Sequence, residues 1–205
     1  ARLRAHGVSR PRSPARPPSQ VNAIWGGIAL VLVAAGIGSL LSGPDLNLVS
    51  KGVGFALITL SLVPLTGYAG QISLAQMTFT GIGALAMATW GATGSPVGVV
   101  VAVVLCAVVG GLVALPALRL SGIYLALATA AFALFCTAMV FGQSEVMPGG
   151  SIQVPGLNIF GFEITNDYRQ LILFAVAFAL LGNLLVLLRR SAWGRRVAAM
   201  KDSPV

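Results

Sequence analysis

Charge is scarce in this chain: only 9% of its 205 residues are Asp, Glu, Lys or Arg, where a soluble domain carries about 25%. Such a sequence has too little polar surface to cover itself in water, so its solvent is lipid. Histidine is almost missing too, with His6 the single example, in an opening stretch rich in Arg and Pro. No carboxylate falls near the middle of an apolar run, and His, Cys, Asp and Glu do not recur at metal-ligand spacing. The acids, bases and nucleophiles that an enzyme gathers in a pocket are therefore lacking, and no catalytic residue, metal site or cofactor is expected. The two cysteines, Cys106 and Cys136, lie inside apolar runs and read as small hydrophobes, not as a disulfide or metal pair. Intramembrane Asp, Glu or His relays, which proton-coupled carriers use, are absent as well, although Na⁺ coordination by backbone carbonyls stays open. A phosphate-cradling loop needs Gly-Lys followed by Ser or Thr. Lys51 follows Ser50 and Lys201 follows Met200, so this chain cannot hold ATP by that device.

What the chain has in abundance is apolar length. Hydrophobic residues make up 57% of it and the mean hydropathy is +0.91. Uninterrupted apolar runs at residues 21–41, 46–66, 72–90, 97–118, 123–141 and 171–188 approach or reach the length needed to cross roughly 30 Å of hydrocarbon. Backbone groups cannot stay unpaired in lipid, so the runs are helices or strands of a closed barrel. They are too long and too evenly apolar for barrel strands, which alternate. The expected fold is an all-α, polytopic transmembrane bundle with about six spans. Gly43-Pro44, Thr66-Gly67 and Gly94-Ser95-Pro96 punctuate its turns.

The formal charge of +8 invites a nucleic-acid reading, but its placement favours the lipid bilayer as partner. Arg2, Arg4, Arg10, Arg12 and Arg16 crowd the start, and Arg189, Arg190, Arg195, Arg196 and Lys201 crowd the end. Cations flanking apolar spans set topology and touch anionic headgroups, so no nucleic acid is expected. With the start in the cytoplasm and six crossings, both ends and Arg119 lie inside, leaving only Lys51 and Arg169 outside with Asp45, Glu145, Glu163 and Asp167. The positive-inside rule thus gives an N-in, C-in chain. Residues 1–20 read as a disordered basic tail, and 21–205 as one transmembrane domain. The chain begins at Ala1, not Met, and stops at Val205 after a polar stretch, which reads as a fragment. Residues 142–167 form the sizeable outer loop, with turns at Pro148-Gly149-Gly150 and Pro155-Gly156. Composition alone makes it a connector as readily as a lid or docking surface.

Polar residues inside the membrane concentrate between Gly67 and Gln76. Gly67 and Gly70 loosen the backbone, Gln71 and Gln76 follow where hydrocarbon is expected, and Ser73, Gln76, Thr80 and Gly83 recur at spacings that share one helix face. That face is expected to point into the bundle, since a lipid-facing amide costs a few kcal/mol. Interhelical packing explains such a seam; so does the wall of a substrate path with a helix broken at residues 67–70. At the far end, Ser191 to Pro204 is too polar to re-enter lipid. Ala198-Ala199-Met200 favour a short helix there, Gly194 loosens its start, and a basic juxtamembrane loop is the plainer alternative.

The run Gly67-Tyr68-Ala69-Gly70-Gln71-Ile72-Ser73-Leu74-Ala75-Gln76, with Phe79 and Gly81-Ile82-Gly83-Ala84, resembles the permease subunits of branched-chain amino acid ABC transporters. Leu118-Arg119-Leu120-Ser121-Gly122-Ile123-Tyr124-Leu125-Ala126 with Thr129 is similar to a second motif of that family. Ser191-Ala192-Trp193-Gly194-Arg195-Arg196-Val197-Ala198-Ala199-Met200-Lys201-Asp202-Ser203 is similar to its cytoplasmic loop, and Pro148-Gly149-Gly150 to its outer Gly-Gly loop. Ala75 stands where the family has Gly, and Ser203-Pro204 replaces an acidic ending. The resemblance implies an importer in the bacterial inner membrane. Its partners would be ATPase subunits, a second permease subunit and an extracytoplasmic substrate-binding protein. Its substrates would be leucine, isoleucine, valine, urea or short amides. The polar segment itself supplies the candidate substrate path, at Gly67, Gly70, Gln71, Ser73, Gln76 and Thr80. Ser191, Gly194, Arg195, Ala198, Lys201 and Asp202 would couple the chain to the ATPase. Charge-poor spans alone are also compatible with a secondary carrier driven by an ion gradient, or with a scaffold.

Overall fold

The computed structural model describes residues 19–68, 70–91, 94–117, 119–120, 122–159, 162–191 and 194. The basic tail at 1–18 lies outside the described residues. Long apolar stretches free of proline fold as helices, because in lipid each backbone group must find its partner within the segment. Helix α1 (Gln20–Leu40) starts at Ser19, whose side chain accepts from the backbone N–H of Asn22 at 3.2 Å, an N-cap that satisfies one otherwise orphaned donor. Helix α2 (Pro44–Leu60) has Pro44 in its first turn with Asp45 beside it, where a missing N–H costs nothing and a carboxylate meets the positive end of the helix dipole. It continues into a π-helical turn, Val63–Tyr68, at Pro64, which cannot join the regular ladder. Thr66 and Gly67, expected at a turn between spans, lie within this π turn.

Helices α3 (Gln76–Trp90), α4 (Pro96–Ala117) and α5 (Ile123–Cys136) follow, and α5 widens into a second π turn, Thr137–Phe141. There the hydroxyl of Thr137 bonds back to the carbonyl of Ala133 at 2.8 Å, a competition that loosens the ladder. Helix α6 (Asp167–Arg190) carries Asp167 in its first turn and Arg189 and Arg190 in its last. Each charge complements its end of the dipole, which extends the helix beyond the apolar run expected at 171–188. The outer loop holds a 3₁₀ turn at Pro148–Gly150. It also holds a two-residue hairpin, β1 (Asn158–Ile159) with β2 (Phe162–Glu163), antiparallel and in the register Asn158↔Glu163. The hairpin has no counterpart in the sequence reading.

Among the described residues, five helical segments are long and apolar enough to cross a membrane: Gln20–Leu40, Pro44–Tyr68, Pro96–Pro116, Ile123–Phe141 and Asp167–Arg190. The run expected at 72–90 departs from this pattern. Its helix begins only at Gln76, and fifteen residues give about 22 Å, short of the hydrocarbon thickness. Residues 70–75 complete that crossing as irregular chain.

The packing shows that a crossing occurs there. Tyr68 lies against the last turns of α6, where its hydroxyl donates to the carbonyl of Leu185. At the other end of the bundle, the carbonyl of Gly94, in the α3–α4 turn, accepts from the backbone N–H of Asn158 at 2.7 Å. Gly94 has φ +73°, and a Cβ there would strike the carbonyl of Gly156, so only glycine suits the position. Between Tyr68 and Gly94 the chain therefore passes from one end to the other.

Helix α6 packs antiparallel to α1 and parallel to α2. Small residues permit the close approach to α1: a Cβ on Gly27 would lie 3.1 Å from Ala179, and one on Gly38 would lie 2.9 Å from the Tyr168 ring. Backbones approach this way in membranes, where burial alone drives little. On the α2 side, the Asn47 amide donates to the Asp167 carboxylate at 3.0 Å. Leu171 and Ala175 of α6, with Ala34 and Leu46, form the core of this group. Helices α3, α4 and α5 make a second group, with Phe79 against Phe132 at 5.9 Å between ring centroids. The groups touch mainly through α2 and α3. Large side chains such as Leu32, Val100, Leu134 and Leu180 point outward, as lipid allows.

Candidate functional site

The polar segment between α2 and α3 lies at the end of the bundle where α4 and α6 finish. Gly70 takes φ +66°, which turns the chain out of helical geometry after Tyr68 at little steric cost. The N–H of Gln71 then bonds the carbonyl of Leu65 at 3.0 Å. Three residues on, the N–H of Leu74 donates to the hydroxyl of Thr129 at 3.0 Å, and that hydroxyl donates to the carbonyl of Ala126 at 3.0 Å. Thr129 is buried and lies six residues into α5, about 9 Å from its start. The irregular backbone thus runs beside α5 almost two turns from the start of that helix, and a threonine on that helix serves as its partner.

The sequence-predicted residues distribute unevenly around this break. Gly67 lies inside the π turn, near Val63. Gln71 is exposed, Ser73 is half-buried and precedes the helix, and Gln76 opens α3 half-buried. Thr80 is exposed, with its hydroxyl bonded to the carbonyl of Gln76 at 3.0 Å. The expectation of one inward face through Ser73, Gln76 and Thr80 needs correction. A buried row runs through Ala75, Thr78, Ile82 and Ala86, roughly a third of a turn away at 100° per residue, while buried Met87 shares the face of Gln76 and Thr80 further along the helix. Ser73 drops off the face because α3 starts later than the apolar pattern suggests. Gly83 does look at a neighbour, and a Cβ there would lie 4.0 Å from the sulfur of Cys106 on α4.

At the inner end of α6, the N–H of Ser191 caps the carbonyls of Leu187 and Leu188, and its hydroxyl bonds Leu188 at 2.7 Å. The N–H of Gly194 returns to the Ser191 hydroxyl at 3.2 Å. Gly194 is buried, and a Cβ there would collide with the carbonyl of Leu188 and sit 2.7 Å from Cα of Arg189. Gly194 is thus fixed by close approach to α6, not by a need to loosen a helix start. Arg195, Ala198, Lys201 and Asp202 lie outside the described residues.

Two residues that the sequence reading quoted without a role tie these regions together. Tyr68 binds Leu185, and the guanidinium of Arg189 lies 5.5 Å from its ring centroid. Thr129 holds the irregular strand. A buried hydroxyl in an otherwise apolar helix was the available signal for Thr129; nothing local marked Tyr68.

A helical bundle that crosses the membrane repeatedly, with one crossing broken by polar backbone, is the architecture of a multi-pass permease. The chain belongs to the family described as branched-chain amino acid transport system / permease component, whose model matches residues 45–205. Comparison with curated proteins and with solved structures finds no match. The family is a membrane transport component, in keeping with the motifs at 67–84, 118–129 and 191–203.

Proposed function

We propose that this chain is the membrane-spanning subunit of an ATP-driven importer in a bacterial inner membrane, moving branched-chain amino acids or a related small amide or urea. The observation that carries this reading is the irregular backbone at 70–75, pinned to Thr129 of α5 within the helical bundle. Lipid does not accept such backbone; it persists where it lines a water-filled path or is covered by protein. Exposed Gln71 beside it supplies an amide to such a path, with Gly67, Gly70, Ser73, Gln76 and Thr80 near by. The cytoplasmic side is the end bearing Arg119, Arg189 and Arg190, in line with the positive-inside rule. ATPase subunits then bear on Ser191, Gly194, Arg195, Ala198, Lys201 and Asp202, a binding protein docks on the opposite end, and a second permease subunit completes the path.

The test is leucine uptake into vesicles that hold the assembled transporter. The expected result is uptake that stops on ATP depletion and survives collapse of proton and sodium gradients. Uptake that follows an ion gradient instead would assign the chain to secondary carriers.

A further inference from the structure

A cavity of about 440 Å³ opens between the two helix groups at the end away from Tyr68. It falls in the range of small-molecule sites, about 300–1,000 Å³, and near its lower end. Met87 of α3 and Val99 of α4 form one wall, and Leu173 and Phe174 of α6 form the other. Thr165 and Gln170 add a hydroxyl and an amide, and the backbone at 155–157 passes over it as a roof. Among the described residues no charged side chain lines it. The roof is held in place, since the chain at Asn158 is bonded to Gly94 and Gly156 abuts Ile164. A second cavity of similar size, between α1 and α6, has Asn183 as its one polar side chain among the described residues and offers an acyl chain as good a fit as any solute.

We infer that the cavity beneath the outer loop is a binding site for the transported solute, one with a small branched aliphatic side chain and a compact polar end without net charge. This rests on the importer reading above. The aliphatic part sits between Met87, Val99, Leu173 and Phe174, where apolar walls on two helix groups can close on it. The polar end meets the Gln170 amide, the Thr165 hydroxyl and the peptide groups of the roof. Among the described residues a solute with net charge finds no counter-charge there, and desolvating it uncompensated is costly. The walls belong to groups that touch mainly through α2 and α3, so a relative shift of the groups changes the width of the site. A lipid acyl chain shares the aliphatic chemistry and is the other possible source of an occupant.

The experiment uses the assembled transporter in vesicles, with Cys106→Ala and Cys136→Ala as background. Val99→Cys is treated from outside with a membrane-impermeant thiol reagent, with and without millimolar L-leucine. Ser151→Cys serves as the outer-loop control. Leucine is expected to slow labelling of Val99→Cys several-fold and leave Ser151→Cys unchanged, while glutamate protects neither. Leu173→Trp, which fills the cavity, is expected to raise the KM for leucine uptake roughly tenfold, the scale at which apolar pockets discriminate side-chain size, with the maximal rate retained. Labelling indifferent to leucine in vesicles that take leucine up would overturn the site and leave the importer reading standing. The same holds if Val99→Cys is unreactive from outside, or if a lipid occupant blocks it regardless of leucine. Vesicles that take up no leucine would instead sink the substrate reading itself, and the ligand assigned here with it.

Discussion

Tyr68 and Arg189 meet at the C-terminal end of α6, with the guanidinium 5.5 Å from the ring centroid while the phenol hydroxyl donates to the carbonyl of Leu185 at 3.1 Å. One side chain thereby fastens the π-helical end of α2 to the final turn of α6, immediately before the chain leaves helical geometry. Its partner Arg189 lies two residues before the helix cap at Ser191. The region read as coupling site and the region read as substrate path are therefore in mechanical contact.

Replacing Tyr68 tests that fastening in two steps. Tyr68→Phe loses the hydrogen bond, worth about 1 kcal/mol, and keeps the ring. Tyr68→Leu also loses the cation–π contact, about 0.5–2 kcal/mol more. Thermal unfolding in detergent should fall in that order. Equal melting of the two variants would remove Arg189 from the account.

Thr129→Val keeps the shape of the side chain and removes its hydroxyl. The N–H of Leu74 is then left without its partner, a loss of about 1–3 kcal/mol for a buried donor. Thr129→Ser should stay near the parent protein, because it restores the oxygen. Hydrogen exchange at Leu74 is the direct measurement, and faster exchange in Thr129→Val alone is the expected result.

Much of the architecture was legible because apolar runs of membrane length leave the backbone no choice but helix, and Pro44, Pro96 and the charges of α6 mark its ends. The third crossing was not legible in detail. Ile72, Ser73, Leu74 and Ala75 suit a helix by pattern, and what decides against it is Gly70 in the left-handed region and a hydroxyl contributed by Thr129, far along the chain. The later start takes Ser73 out of the helix, and the rotation that buries Thr78, Ile82 and Ala86 is set by packing against neighbouring helices. Gly194 was read as the loose start of a helix, whereas the constraint the fold shows is the proximity of Leu188, which only folding brings about.

Orientation is open to thiol labelling in intact cells. Ala15→Cys should be shielded from an impermeant reagent applied outside, while Ser151→Cys, in the exposed loop, should react. Reaction at Ala15→Cys would reverse the assignment of the two ends. A reversed chain would place Arg119, Arg189 and Arg190 outside, against the positive-inside rule.

Gly194→Leu places a large side chain where the carbonyl of Leu188 already sits. The chain after Ser191 must then leave α6. ATP hydrolysis by the assembled transporter should continue while uptake is lost. Normal uptake by this variant would place the coupling contact elsewhere in the chain.

The bond from Asn158 to Gly94 ties the first strand of the hairpin to the residues just ahead of α4. A load on that strand therefore reaches the entry of α4 across one hydrogen bond, without travelling along the chain between them.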